Sequence, residues 1–179
     1  MNDLALKIEL KSNLQRWPKE QTLWTGENLS TNMFPTKRAL TGMIGCAFGI
    51  KRWQKERLAE LDKLQIYLEK SIAIPKIVSE MQNVCSDQSI KREKDSGYRY
   101  QSDGRLSDFA YPRRRKEYLQ DACFHAYILG DNLDEIAEVL DAPVYPYFFG
   151  AKVCIPSTRV NQGFVTFDEK VKKKCILLS

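Results

Sequence analysis

The sequence predicts an α+β fold, an antiparallel sheet carrying helices on one face. Three observations predict it. Short runs alternate apolar and polar residues near the start, in the middle and near the end of the chain, as half-buried strands do. Stretches with helical spacing of apolar residues lie between them. A polar, basic segment at residues 85–112 interrupts the pattern and has no aliphatic period. With 179 residues, 43% of them hydrophobic, the chain can build one domain with a core, or a domain with an appendage.

Leu4, Leu6, Ile8 and Leu10 alternate with Ala5, Lys7, Glu9 and Lys11, which reads as a strand with one buried and one solvated face. Residues 15–32 are polar, carry turn signals and hold Trp17 and Trp24. Both tryptophans read as packing residues, and Trp17, beside Arg16, is also a candidate to stack a base.

Residues 34–52 (FPTKRALTGMIGCAFGIKR) read as a helix. Pro35 suits a first turn and Thr36 can cap free backbone N–H groups. Lys37 and Arg38 put cations where those N–H groups already favour an anion. Gly42, Gly45 and Gly49 fall three and four apart on one face, and each costs about 1 kcal/mol against alanine inside a helix. Such glycines suggest that a backbone or ligand approaches closely. Beside a basic helix entrance, that points to a phosphate backbone.

A second helix covers 54–62 around Leu58 and Leu61. Leu64, Ile66 and Leu68 alternate again, and Ile72, Ile74, Ile77 and Val78 extend the strand signal, with Pro75 marking an edge or a bend. Residues 85–112, rich in Ser, Asp, Arg, Lys and Tyr, read as a projecting loop or long hairpin. At 118–129 the strand pattern returns, with Ala122, Phe124, Ala126 and Ile128 on one face and Asp121, Cys123, His125 and Tyr127 on the other. An acidic helix at 132–140 carries Leu133, Ile136, Ala137 and Leu140 as its apolar stripe, with Asp131 or Asn132 as its cap and Pro143 as its end. A Pro- and aromatic-rich segment, a short strand at 162–167 and a lysine-rich tail, read as a solvated end, complete the chain.

The order strand, helix, strand, projection, strand, helix, strand matches a ferredoxin-like (RRM-like) antiparallel sheet with helices on one face. The other face is then open, a surface that RNA-binding domains use. The expected organisation is a domain at 1–141 with the insertion at about 85–112, and a short C-terminal segment at 142–179.

The charge is local. From Lys91 to Lys116 there are nine basic residues against four acidic ones, and this surplus equals the whole chain's net charge of +5. Tyr98, Tyr100, Phe109 and Tyr111 interleave with Arg99, Arg105, Arg113, Arg114 and Arg115. Aromatic faces stack unpaired bases while arginines hold phosphates, so the segment reads as a polyanion site; a solvated loop is the plainer alternative. The run 113–116 also precedes a strand and can guard a sheet edge.

Other chemistries find little support. The five cysteines are scattered, without zinc-knuckle or thioredoxin-like spacing, and neither a metal nor another cofactor is expected. An odd cysteine count and a start without a basic, apolar leader point to a reducing cytoplasm and no membrane. No Walker A, HExxH or GxSxG pattern occurs, and His125 is the one histidine.

Four ordered blocks resemble the CasD family, subunits of the type I-E CRISPR Cascade complex within the RAMP superfamily. They are the opening strand with Leu14-Gln15-Arg16-Trp17; Phe34-Pro35-Thr36-Lys37-Arg38 through Gly42, Gly45, Gly49 and Ile50; Arg115-Lys116-Glu117-Tyr118-Leu119-Gln120-Asp121-Ala122; and Tyr145-x-Tyr147-x-x-Gly150-x-Lys152-x-Cys154-x-Pro156. The resemblance implies a non-catalytic subunit that holds the 5′ handle of the guide crRNA. The segment 85–112, with Tyr98, Arg99 and Arg105, would be a β-hairpin thumb gripping the guide, and Arg113, Arg114 and Arg115 just after it would also bind RNA. The helix entrance at Lys37 and Arg38 and the Gly150 loop, with Tyr145, Tyr147 and Lys152, would cradle handle phosphates beside Gln15 and Trp17. Neighbours would be the backbone subunit and the large PAM-recognising subunit, with target DNA reached indirectly. The chain departs from the family in its short C-terminal region and in Ala151, where a second basic residue is common.

Two rivals stay open. One is a metal-independent endoribonuclease that processes repeat RNA, with His125, Tyr98 or a nearby lysine as base. The other is a protein adaptor that uses the acidic helix at 132–140.

Overall fold

The computed structural model describes residues 3–19, 28–70, 75–83 and 113–179. Its elements run β1 (Asp3–Lys11), β2 (Leu14–Gln15), β3 (Asn28–Leu29), α1 (Lys37–Ala47), α2 (Lys55–Asp62), β4 (Gln65–Glu69), β5 (Lys76–Asn83), β6 (Arg113–Gln120), β7 (Cys123–Leu129), α3 (Leu133–Asp141), β8 (Asn161–Phe167), α4 (Glu169–Lys173) and β9 (Cys175–Leu177). The fold is α+β, as expected. The projecting segment at 85–112 and Trp24 lie outside the described residues.

The main sheet has the order β8-β1-β7-β4-β9, and every neighbouring pair is antiparallel. α1 and α2 connect the β1 side to β4, and α3 connects β7 to β8. The core forms where the alternation placed it. Leu6, Ile8 and Leu10 of β1 join Ile66, Leu68, Phe124, Ala126 and Ile128 against Leu40 and Ile44 of α1 and Ile136 and Leu140 of α3. In the second sheet β6 pairs along its whole length with β5, and also with β2 (antiparallel) and β3 (parallel).

The structure differs from the sequence reading at several places. The strand read at 118–129 is the end of β6 and all of β7, which belong to different sheets. Asp121 breaks it with φ 52, a left-handed turn that an aspartate tolerates, and its N–H donates to Asn13 O at 2.9 Å. The first helix starts as read, with Thr36 Oγ1 accepting from Ala39 N, but ends at Ala47. Gly49 (φ 72) follows the last turn; its N–H donates to Cys46 O and the Ile50 N–H to Gly45 O, a Schellman close. Gly49 is thus a terminator, while Gly45 faces α2, where a Cβ would lie 3.3 Å from Leu58 Cδ2. The glycines serve the helix end and helix–helix contact; at Gly42 a Cβ would meet nothing within 4 Å.

At the third helix Asn132 is the N-cap residue, but it sits at φ 58 and its side chain makes no capping bond. The C-terminal segment is built into the main sheet, supplying β8 beside β1 and β9 beside β4. Its lysines are exposed, yet the backbone is a helix capped by Asp168 Oδ1 on Val171 N at 2.8 Å, with lysines favourably placed in the last turn. Finally, the sheet face turned away from the core is partly covered. Ala5, Tyr67, Tyr127 and Phe167 form a second apolar cluster there, joined by Val165, Val171 and Cys175.

Candidate nucleic-acid interface

The loop at 145–156 is clamped onto the turn that follows β2. Arg16 N donates to Phe149 O at 3.0 Å, and the loop closes on itself through Phe149 N to Cys154 O (2.9 Å) and Cys154 N to Ala151 O (2.8 Å). The Phe149 ring packs on Trp17, with centroids 6.0 Å apart. Gly150 has φ 90, and a Cβ on it would land on the Arg16 carbonyl. Only glycine fits there.

Trp17 anchors a second segment too. Its N–H donates to Thr31 Oγ1 at 2.9 Å, and its carbonyl accepts from Asn32 N at 2.7 Å. Residues 31–32 lead into α1, so the loop and the approach to the basic helix entrance meet at one buried indole. The start of the loop packs on the other end of α1. Val144 N donates to Ala47 O (2.8 Å), and Cys46 Sγ to Pro146 O (3.6 Å). Lys51 Nζ lies 4.2 Å from the Tyr145 ring centroid and donates to Tyr145 Oη.

The family model described as CRISPR-associated protein (Cas_Cas5) matches residues 5–172, from β1 into α4. The chain belongs to the Cas5 family of CRISPR-associated proteins. Two solved structures share the fold of this Cas5 chain. One, described as "CRISPR RNA-guided surveillance complex", is 19% identical with a TM-score of 0.62 over 87% of this chain and 61% of that one. The other, described as "Crystal structure of Cas protein", is 20% identical with a TM-score of 0.59 over 90% of this chain and 65% of that one. The Cas5 chain therefore spans less than two thirds of the length of either. No curated protein matches it.

The expected interface residues of this Cas5 chain fall into three groups. Gln15 and Trp17 are buried, at 0% and 1% exposure, which corrects their expected place at an RNA surface. Gln15 Nε2 donates to Leu10 O and Ala122 O, both at 2.8 Å, and its Oε1 accepts from Trp17 Nε1 at 3.2 Å. These polar atoms tie β1, the β2 turn and the chain before β7 together, and leave no face for a base. Tyr147 is also structural: its Oη donates to Leu140 O at 2.8 Å, and burial, with Asp141 adding to it, pushes its phenol up.

Residues at or near the surface form the second group. Lys152, Arg38 and Tyr145 are exposed and Lys37 half-buried, and the first turn of α1 holds no acidic residue. Arg115 is exposed and Lys116 half-buried on β6. In the third group, Arg113 and Arg114 place their backbone in β6 while their side chains lie outside the described residues, as do Tyr98, Arg99 and Arg105 entirely.

Two residues outside the expected set gain weight from their surroundings. Arg16, between buried Gln15 and Trp17, is half-buried; its Nε is buried without a hydrogen-bond partner among the described residues. Trp53 is 76% exposed, just after the Lys51–Tyr145 pair. Alternation along 14–17 was the available signal for Arg16, since it places Arg16 opposite Gln15 and Trp17.

His125 lies on the sheet face turned away from Trp17 and Phe149. Its Nδ1 is 3.2 Å from Glu69 Oε2 and its Nε2 3.3 Å from Glu9 Oε2. A hydrogen bond from Thr158 Oγ1 (2.7 Å) holds the Glu9 carboxyl below its usual range, helped by His125 and opposed by burial.

Proposed function

We propose that this Cas5 chain is a non-catalytic Cascade subunit that binds the 5′ handle of the guide crRNA and joins the large subunit to the backbone subunits. The observation that carries the reading is Arg16 beside Gly150. The half-buried Arg16 side chain sits where the Gly150 backbone is pressed onto its own carbonyl, and because its Nε is buried, the outer guanidinium N–H groups are the donors for a phosphate oxygen. The family match supports placement in a CRISPR system, and a structural neighbour described as a CRISPR RNA-guided surveillance complex agrees with it. The order β8-β1-β7-β4, with helices in the two crossovers, supports the reading as a ferredoxin-like sheet of the RAMP superfamily.

In this reading Lys37, Arg38, Lys152 and Tyr145 contact the handle, and the segment 85–112 grips the guide as a thumb. Target DNA is reached through the guide and the large subunit, and the complex works in the cytoplasm. No helix among the described residues is long and apolar enough to cross a membrane.

The endoribonuclease reading needs a base beside a 2′-hydroxyl. Both ring nitrogens of His125 already face carboxylates, on the sheet face away from the Gly150 loop. Incubating repeat RNA with the purified chain in EDTA separates the two readings. Intact RNA is expected; discrete cleavage abolished by His125→Ala would overturn the non-catalytic assignment.

A further inference from the structure

The outer face of the main sheet carries a compact set of unlike side chains. Glu9 and His125 are direct cross-strand partners, and Cys123 follows two residues before His125 on the same face. Cys123 Sγ, a His125 ring nitrogen and a Glu9 carboxylate oxygen all lie within 4.8 Å of one another. Thiolate, imidazole and carboxylate are the three ligand types of zinc.

The surroundings fit the same purpose. Glu69 Oε2 lies 3.2 Å from His125 Nδ1 and Glu9 Oε2 lies 3.3 Å from Nε2, so with a metal at Nε2 the ring proton has a carboxylate partner at Nδ1. A carboxylate behind the distal nitrogen of a histidine is the usual support of a metal-bound imidazole. Tyr127 Oη donates to the same Glu69 oxygen at 3.4 Å. Thr158 Oγ1 donates to Glu9 Oε1 at 2.7 Å, so one carboxylate oxygen is held and the other turned to the histidine.

We propose that Glu9, Cys123 and His125 Nε2 bind one zinc ion, with Glu69 and Thr158 as supporting groups and water at the fourth position. Metal–ligand lengths of about 2.0–2.3 Å put tetrahedral ligand atoms about 3.3–3.7 Å apart. The 3.3 Å between Glu9 Oε2 and His125 Nε2 meets that already, and Cys123 Sγ lies within 4.8 Å of both residues' ligand atoms. On binding, the Cys123 S–H bond breaks, a zinc–sulfur bond forms and the proton leaves to solvent. The ion cancels the thiolate and carboxylate charges and staples β1 to β7. Its ligands come from two strands 114 residues apart at Glu9 and Cys123, so no zinc spacing shows in the sequence.

The test uses the full chain, dialysed against zinc chloride alone and assayed for bound metal. One zinc per chain is expected. Glu69→Gln lowers zinc affinity ~10- to 100-fold, the loss typical of a supporting group, and Cys123→Ala and His125→Ala lower it further. Cobalt in place of zinc gives a thiolate-to-cobalt charge-transfer absorption that Cys123→Ala abolishes. Cys123 is exposed, so this variant opens no core cavity and keeps the test decisive should His125→Ala not fold. Substoichiometric zinc, wild-type zinc affinity in Cys123→Ala, or cobalt without the thiolate band would overturn the site.

Discussion

Gly150 presses against the backbone of Arg16 so closely that a Cβ on it would land on the Arg16 carbonyl. This contact, with the Arg16 N–H bond to Phe149 O, locks the 145–156 loop to the turn after β2. Gly150→Ala meets both a backbone clash and a left-handed φ of 90, so it should cost more than about 2 kcal/mol and lower the thermal midpoint clearly. Gly163→Ala has a similar φ of 83 but open space around it, and should cost only about 1 kcal/mol. Thermal melts of the two variants check the order.

Gly42 within α1 and Gly49 just past its end predict opposite signs. Gly42→Ala adds a methyl where nothing lies within 4 Å, so it should stabilise by about 0.5–1 kcal/mol through helix propensity. Gly49→Ala forces φ 72 on alanine and drives its Cβ to 2.8 Å from Val144 Cγ1, so it should destabilise. Chemical denaturation should rank Gly42→Ala above wild type and Gly49→Ala below it.

Asp141, at the end of α3, accepts from Arg159 Nε at 2.8 Å and from Asn161 Nδ2 at 2.8 Å. The Arg159 hydrogen bond holds its carboxyl below the usual range, against a smaller opposing effect of burial. A folded-state value lower than the unfolded one means the stabilisation is present above the unfolded value, about 4, and disappears as pH falls through the folded one. Arg159→Ala should therefore be less stable than wild type at pH 6, and the gap should close toward pH 2–3. A gap of constant size in urea melts across that range would contradict the linkage.

Much of the fold was legible because β1, β4 and α3 obey simple periods. Leu6, Ile8 and Leu10 are all fully buried, and Ile136, Ala137 and Leu140 form the buried stripe of α3. The break at Asp121 was not legible, since apolar alternation continues across a single left-handed residue that changes sheets. Nor was the place of β8 and β9 beside β1 and β4, which only long-range register reveals. At the motif positions Gln15 and Trp17, burial was not legible. A polar and an amphipathic side chain look available in sequence, and only the carbonyls of Leu10 and Ala122 show why Gln15 is buried. The Glu9–His125–Glu69 row was hidden for the same reason: its members meet across three strands.

For RNA binding, neutralised phosphates should show in salt dependence. Alanine together at Arg113, Arg114 and Arg115 should weaken binding and flatten the slope by about 0.7 for each single-strand phosphate that is no longer neutralised. Arg16→Ala should do the same by one phosphate, with little change in melting temperature. An unchanged slope in both variants would remove these residues from the interface.

The most direct measurement is crosslinking of this chain to RNA in cells that express it with its repeat array and partner subunits, followed by sequencing of the crosslinked RNA. The account predicts crosslinks concentrated on the repeat-derived stretch immediately 5′ of the spacer, and abolished in the Arg16→Ala chain carrying alanines at Arg113, Arg114 and Arg115. Crosslinks spread evenly along the guide, or none above background, would contradict it.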